Sequence, residues 1–250
     1  MPVDRDRSPD RPTGAAVFAT THWSVVLAAG QSSSPQAAAA LEQLCRTYWY
    51  PLYAYVRRRG FGPEEAQDLT QEFFCRLLAS DWLARADSDK GRFRTFLLCG
   101  LQNFLANEWQ KTRRLKRGGG REHIALDALD AEERYRLEPT DSASADRLFD
   151  RRWALTLLER VLARLQAETS GDGDGERFAA LRDVLLGEPS AEGYAALAQR
   201  SGVSESTVKS WAHRLRRRYR ELLREEVAQT VSNREELEDE LRHLFRVLAG

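Results

Sequence analysis

The sequence predicts an all-α protein of two small helical domains joined by a flexible acidic linker, with a helix-turn-helix in the second domain. Apolar residues recur at helical spacing through most of the 250 residues, and no clear run alternates with the period of two expected for a strand. Three glycines, Gly118–Gly120, and an acidic stretch interrupt this pattern near the middle of the chain. The hydrophobic fraction of 42% is high enough to bury a core, which argues against wholesale disorder.

Changes in composition divide the chain into five segments. The first is polar and rich in proline, so we expect it to be partly disordered. Two segments carry helical apolar stripes, and the segment between them combines glycines and acidic residues as linkers do. The segments are an N-terminal extension (1–35), a first domain (36–117), a linker (118–145), a second domain (146–224) and a C-terminal amphipathic helical extension (225–250).

Three amphipathic helices are predicted in the first domain. Pro51 lies inside the first apolar pattern, where it should kink the helix, and Pro63 suits the first position of the second helix. The third helix continues past its apolar stripe into a basic run that ends at Arg117. The three stripes include Leu41, Cys45, Tyr48, Leu52 and Tyr55; Ala66, Leu69, Phe73 and Leu77; and Phe93, Leu97, Leu101, Phe104 and Leu105.

A helix-turn-helix pattern runs through residues 194–211 of the second domain, after a helix with leucines from Leu148 to Leu165. Gly202 supplies the left-handed turn residue, Val203 fills the angle between the helices, and Ser204 caps the second helix. Short polar side chains at the start of that helix can approach base edges, and arginines further along can meet phosphates. A plain helical hairpin with a solvated basic face is the alternative. The polar face consists of Ser206, Thr207, Lys209, Ser210, His213, Arg214 and Arg217.

Charge is strongly segregated although the net charge is zero. Residues 85–121 contain ten basic and three acidic side chains, and residues 199–220 contain seven basic and one acidic side chain. An acidic block follows each of them, at 122–150 and at 221–250. One basic block is usually a solvated helix face, but two such blocks on amphipathic helices favour a polyanionic partner.

The C-terminal extension is expected to form one further helix. Ser232 and Glu235 have the spacing of a capping box. Two interpretations are open: a helix packed back on a domain, or an acidic cover for the basic recognition face. The apolar stripe of this helix consists of Leu237, Leu241, Leu244, Phe245 and Leu248.

Several classes of function lack support in the sequence. There is no glycine-rich phosphate loop, no nucleophile elbow and no metal-ligand cluster, so we expect neither an enzyme nor a bound metal or cofactor. No apolar run reaches the length of about 18 residues that spans a membrane, and no signal peptide is visible. Three widely spaced cysteines fit a reducing, cytoplasmic setting, and we expect all three in the core.

Several motifs together resemble a bacterial RNA polymerase sigma factor, specifically the extracytoplasmic-function (ECF) subgroup. These motifs are the segment 43–59, then Pro63-Glu-Glu-Ala-Gln-Asp-Leu-Thr-Gln-Glu-Phe-Phe, then Gly91-Arg-Phe-Arg-Thr-Phe-Leu, and then the helix-turn-helix. The resemblance covers residues 36–117 and 146–224. It implies that the chain binds core RNA polymerase, at its clamp coiled coil and its flap, and promoter DNA, in the cytoplasm at the nucleoid.

The resemblance also assigns roles to particular residues. Asp68, Gln71 and Glu72 would dock on the clamp coiled coil, and the loop at 87–91 would hold a flipped base. The following helix would read and melt the minus-10 element, because asparagines can read base edges and basic side chains can meet phosphates. The helix-turn-helix face given above would read the minus-35 element. The minus-10 residues would be Asn103, Asn107, Lys111, Arg113 and Arg114.

Regulation and the main rival function are left open. Thr70 stands where related factors commonly carry an acidic residue, so it is either a phosphorylation site for a Ser/Thr kinase or an ordinary helix threonine. An anti-sigma factor is the other regulatory partner that the resemblance allows. The rival function is a helix-turn-helix repressor or response regulator that acts without core polymerase.

Overall fold

The computed structural model describes residues 35–79, 92–114, 128–138, 144–170, 178 and 191–250. These residues form eight α-helices and no strand, which confirms the all-α prediction for this part of the chain. The N-terminal extension up to residue 34 and the loop at 87–91 lie outside the described residues. The helices are α1 (Pro35–Arg58), α2 (Pro63–Ala79), α3 (Phe93–Arg114), α4 (Ala128–Arg136), α5 (Ala145–Ser170), α6 (Ala191–Ser201), α7 (Glu205–Ala228) and α8 (Arg234–Ala249).

The centre of α1 is buried on all sides. Every residue from Thr47 to Val56 is buried, and the helix continues through Pro51. A helix that buries successive residues in this way must be enclosed by neighbours. Those neighbours are α2, α4 and α5. The sequence predicted an apolar stripe on one side only, because the contact with α5 comes from a segment assigned to the other domain.

Helix α5 packs along α1 and also contacts α7 and α8. It is therefore buried on several sides, and the leucine stripe predicted from the sequence is only part of its buried surface. Phe149 and Trp153 are fully buried, whereas the predicted Leu155 and Leu158 are half-buried. The buried residues of the two predicted domains form one hydrophobic cluster.

Residues 128–138 differ from the flexible linker predicted for 118–145. They contain α4, and two of their carboxylates accept hydrogen bonds from side chains of α1. Glu132 accepts hydrogen bonds from Tyr53 at 2.6 Å and from Arg57 Nε at 3.0 Å. Glu138 accepts one from Tyr50 at 2.7 Å. The acidic composition that indicated a solvated tether therefore serves in part to hold α4 against α1.

Helices α6 and α7 are joined by a tight turn. Gly202 has a φ of +64°, and the side chain of Ser204 accepts a hydrogen bond from the backbone N–H of Thr207. The predictions for Gly202 and Ser204 are therefore confirmed. Val203 is half-buried between the two helices.

Substituting Gly202 by alanine should lower the free energy of unfolding by about 1 kcal/mol, because the left-handed backbone conformation strains an L side chain. No atom lies within 4 Å of the added Cβ, so the effect would come from the backbone alone. Gly62→Ala is the matched control, since its Cβ also meets nothing and its φ is not left-handed. Urea unfolding followed by circular dichroism measures both, and equal losses in the two variants would contradict the prediction.

Helix α8 packs against α5 and α7. Its capping box is shifted by one residue from the prediction: Asn233 is the N-cap, and Glu236 rather than Glu235 accepts from the backbone N–H of Ser232. The apolar stripe is buried at Leu237, Leu241 and Leu244. The other two residues of the stripe are more exposed, Phe245 at 58% and Leu248 at 37%. The packing favours the helix-packed-back interpretation of this extension.

Candidate nucleic-acid and polymerase interface

The outer face of α2 carries the residues predicted to meet polymerase. Asp68 is exposed, whereas Gln71 and Glu72 are half-buried. Glu72 accepts a hydrogen bond from Arg76 at 2.6 Å, and Arg76 also pairs with Glu108 of α3 at 2.9 Å. This bridge ties α2 to α3, so Glu72 has a structural role as well. Of the three predicted docking residues, Asp68 is the most exposed.

Thr70 lies on the inner side of the same helix. Its side chain is fully buried, and its hydroxyl donates to the backbone carbonyl of Ala66 at 2.7 Å. This bond to the carbonyl one turn back is common for a helix threonine. A kinase could reach the hydroxyl only after α2 had opened locally. The structure therefore favours the ordinary helix threonine over the phosphorylation site.

Helix α3 presents an amide face to solvent. Asn103 and Asn107 are exposed and lie one helical turn apart, which places them on one side of the helix. The backbone of α3 continues to Arg114, so Lys111 follows one turn further along. The side chains of Lys111, Arg113 and Arg114 lie outside the described part of the structure. The opposite side of α3 packs into the core through Phe93, Leu97, Leu101, Phe104 and Leu105.

A cleft of about 670 Å³ lies between α3, the turn after α1 and the start of α5. Its wall includes Trp109, which is 60% exposed and stands edge-on to Phe61 with ring centroids 6.4 Å apart. Arg59 and Gln102 also line it. Exposed aromatic rings beside an arginine can stack on unpaired bases. Sequence reasoning gave Arg59 and Phe61 no part in a site, because they are distant in sequence from α3.

The first half of α7 exposes its polar face. Of the residues predicted to read the minus-35 element, Thr207 is half-buried and its backbone N–H takes part in the helix cap, whereas the others are exposed. Lys209 pairs with Glu205 on the same helix at 2.7 Å. The exposed set is Ser206, Lys209, Ser210, His213, Arg214 and Arg217, and the opposite side is buried at Val208, Ala212 and Leu215.

The second half of α7 is tied to α5 by ion pairs. Hydrogen bonds from Arg218 hold the pKa of the Glu168 carboxyl below its usual range. Both side chains are partly exposed, so solvent screens this pair and its contribution to stability is small. The pairs between the two helices are Arg218–Glu168 at 2.8 Å, Arg164–Glu225 at 2.6 Å and Arg160–Glu226 at 2.7 Å.

The cysteines do not all lie in the core. Cys45 is half-buried, and burial raises the pKa of its thiol to about 12, but Cys75 and Cys99 are exposed. The prediction of three core cysteines is wrong for these two, because they lie beside the apolar stripes of α2 and α3 rather than in them. Among the described residues, no group of His, Cys, Asp or Glu side chains has the arrangement of a metal site.

None of the helices that the structure describes combines the length and the apolar character needed to cross a bilayer.

Amide side chains exposed on α3 and basic side chains exposed on α7 are features of a nucleic-acid-binding protein. The family comparison makes this specific, because residues 44–115 match the family Sigma-70 region 2. The match begins inside α1 and ends one residue after α3. No curated protein and no solved structure matches the chain. The match supports a factor of the sigma-70 family, whose members are non-enzymatic and initiate transcription with core RNA polymerase on promoter DNA.

Proposed function

We propose that this chain is a sigma factor of the ECF subgroup, which directs core RNA polymerase to specific promoters and helps to open the DNA. The observation that carries the proposal is the Sigma-70 region 2 match over α1, α2 and α3. The ECF assignment rests on the motifs in the sequence and on their order. In this role the protein would act in the cytoplasm, at the nucleoid.

Polymerase docking is assigned to the outer face of α2, toward the clamp coiled coil. Asp68 is the principal residue, since it is exposed. Gln71 and Glu72 lie about one helical turn further along α2 and are half-buried. The inner side of α2 supports this face, because Phe73 and Leu77 are fully buried. A rigid helix that presents its polar side to a partner binds without the cost of ordering a loop.

Minus-10 recognition is assigned to α3. Asn103 and Asn107 would contact base edges, and the basic residues of the following turn, Lys111, Arg113 and Arg114, would meet phosphates. Strand opening needs no covalent chemistry, because stacking of unpaired bases on aromatic rings offsets the cost of unpairing them. Trp109, whose ring is 60% exposed, lies on the same helix.

Minus-35 recognition is assigned to the exposed first half of α7. Small polar side chains at its N-terminal end, such as Ser206 and Ser210, would lie near the bases, while Arg214 and Arg217 would contact the backbone. Two modest contacts on one molecule become specific when both are engaged, since the second is then intramolecular. Core polymerase, held through its clamp and its flap, would set the distance between the two elements.

Regulatory partners remain predictions. An anti-sigma factor is consistent with the exposed surfaces described above, and a Ser/Thr kinase acting on Thr70 would require local unfolding of α2. No metal or cofactor has a part in the proposed mechanism.

Run-off transcription with purified core polymerase and a library of short promoters tests the proposal. Transcripts that depend on this protein, from only a subset of the promoters, are the expected result, and their sequences would define both recognition elements. DNA binding without protein-dependent transcripts would instead favour the repressor or response-regulator function.

Matched variants assign the surfaces. Asp68→Lys should reduce polymerase binding at least about tenfold through like-charge repulsion or lost contact while DNA binding is kept. Glu133→Lys makes the same charge change at an exposed site on α4 and should leave polymerase binding unaltered. The double variant Asn103→Ala, Asn107→Ala should reduce transcription most from those promoters whose minus-10 element agrees best with the sequence that the unaltered protein selects. Equal effects of Asp68→Lys and Glu133→Lys would contradict the assignment of α2.

A further inference from the structure

A buried carboxylate from α8 holds two arginines at the start of α3. Glu240 is fully buried, and its oxygens pair with Arg94 Nε at 2.9 Å and with Arg92 Nη1 at 3.0 Å. Asp239, the residue before it, pairs with Arg92 Nη2 at 3.1 Å. We name the contact of Arg92 and Arg94 with Asp239 and Glu240 the C-terminal latch.

Further contacts hold the latch in place. Arg94 also pairs with Asp150 of α5, and its guanidinium lies over the Trp153 ring at 4.9 Å. Burial alone would lower the pKa of Arg94, but the hydrogen bonds and charge of Glu240 more than offset this and raise it. The arginine is therefore charged and paired. A backbone bond from Phe93 N–H to the Thr230 carbonyl at 3.1 Å adds a further link between the same two parts of the chain.

The latch lies at the N-terminal end of α3. Arg92 immediately precedes α3 and Arg94 lies in its first turn, where a helix N-terminus and two guanidinium groups together suit an anion such as a phosphate. In this structure carboxylates from the C-terminal extension take that place. The same helix exposes Asn103 and Asn107 to solvent further along.

The latch also fixes the relative position of the two proposed DNA surfaces. Helix α8 packs on α5 and α7, and through the latch it holds the start of α3, so α3 and α7 belong to one packed body. A protein that must span two promoter elements gains reach when such a contact is released.

We propose that the C-terminal extension is an autoinhibitory element, in which Asp239 and Glu240 compete with DNA phosphates for Arg92 and Arg94 and keep the chain closed until promoter or polymerase binding releases α8. The proposal rests on the proposed sigma function. If about one molecule in ten is open at rest, complete release raises the apparent DNA affinity about tenfold.

The test compares Glu240→Gln with Glu238→Gln in the full chain. Each variant removes one negative charge from α8, but Glu238 is partly exposed and pairs with Arg224 of α7, outside the latch. The two readouts are the radius of gyration from small-angle X-ray scattering and the affinity for a short labelled DNA duplex of random sequence. The latch predicts that only Glu240→Gln expands the protein and tightens DNA binding, by about tenfold.

The sign of the change separates a latch from a merely structural ion pair, since simple destabilisation would weaken DNA binding. A helical Glu240→Gln protein with the radius and affinity of Glu238→Gln would overturn the proposal. If Glu240→Gln does not fold, Asp239→Asn decides, because Asp239 is partly exposed and its pairs are with Arg92 of the latch and with Arg242 of its own helix. Tighter binding by Asp239→Asn supports the latch, and unchanged binding overturns it.

The run-off assay keeps this test distinct from that of the proposed function. Transcripts from the unaltered chain, together with unchanged DNA affinity in Glu240→Gln, would overturn the latch alone. Expansion of Glu240→Gln without transcripts from any promoter would support the closed contact and overturn the sigma function.

Discussion

Replacing Trp153 by alanine should lower the free energy of unfolding by about 4 kcal/mol, the range expected for removing a buried aromatic side chain. Trp153 is fully buried on α5, and its Nε1 donates to the hydroxyl of Tyr48 at 3.1 Å. The Arg94 guanidinium lies over its ring. The substitution therefore opens a cavity at the contact of α5 with α1 and removes packing from two partners at once.

Two further tryptophan variants make this prediction specific. Trp153→Phe keeps most of the volume but loses the indole donor, so we expect a loss of about 1–2 kcal/mol. Trp109→Ala removes a ring that is 60% exposed and should cost less than about 1 kcal/mol. Urea unfolding measures all three, and a cost for Trp153→Ala no greater than that for Trp109→Ala would refute the central place given to α5.

Replacing Thr70 by glutamate should destabilise the protein by about 3 kcal/mol rather than activate it. The threonine side chain is fully buried, and a carboxyl group at this site would be desolvated without a partner. Thr70→Val should cost less than about 1 kcal/mol, because the Ala66 carbonyl loses only the extra bond from the hydroxyl.

Transcription and unfolding together decide the role of Thr70. If phosphorylation of this residue activates the factor, Thr70→Glu should produce more transcript than Thr70→Ala and unfold at a similar urea concentration. We expect the opposite on both counts: less transcript and a lower unfolding midpoint for Thr70→Glu. More transcript from the glutamate variant at unchanged stability would revive the phosphorylation hypothesis.

Local signals in the sequence predict the helices well. The period of the apolar residues locates α2 and α3, and the capping preferences of Gly202 and Ser204 locate the turn before α7, because each signal acts over a few neighbouring residues. The family match falls within the first predicted domain, at residues 44–115. The exposure of Asn103 and Asn107 also follows from the side of α3 that is apolar.

Long-range partners could not be predicted in the same way. Nothing near Glu132 in the sequence indicates that it binds Arg57, and the acidic composition of 118–145 is equally typical of a solvated tether. Glu240 follows the helical pattern of α8 as any surface acid would, and its burial depends on pairing with arginines at the start of α3, of which Arg94 is 146 positions away in sequence. A charged side chain needs either an ion-pair partner or water, and the sequence alone does not show which of the two surrounds it.

Because α7 has an exposed first half and a second half paired with α5, substitutions in the two halves have different effects. Substitutions among the exposed residues from Ser206 to Arg217 alter only the surface that we assign to the minus-35 element. Substitutions at Arg218, Glu225 or Glu226 alter the attachment of the helix to α5. The preference for a DNA sequence could thus diverge quickly between related factors at little cost in folding, while the half that orients the helix stays under constraint.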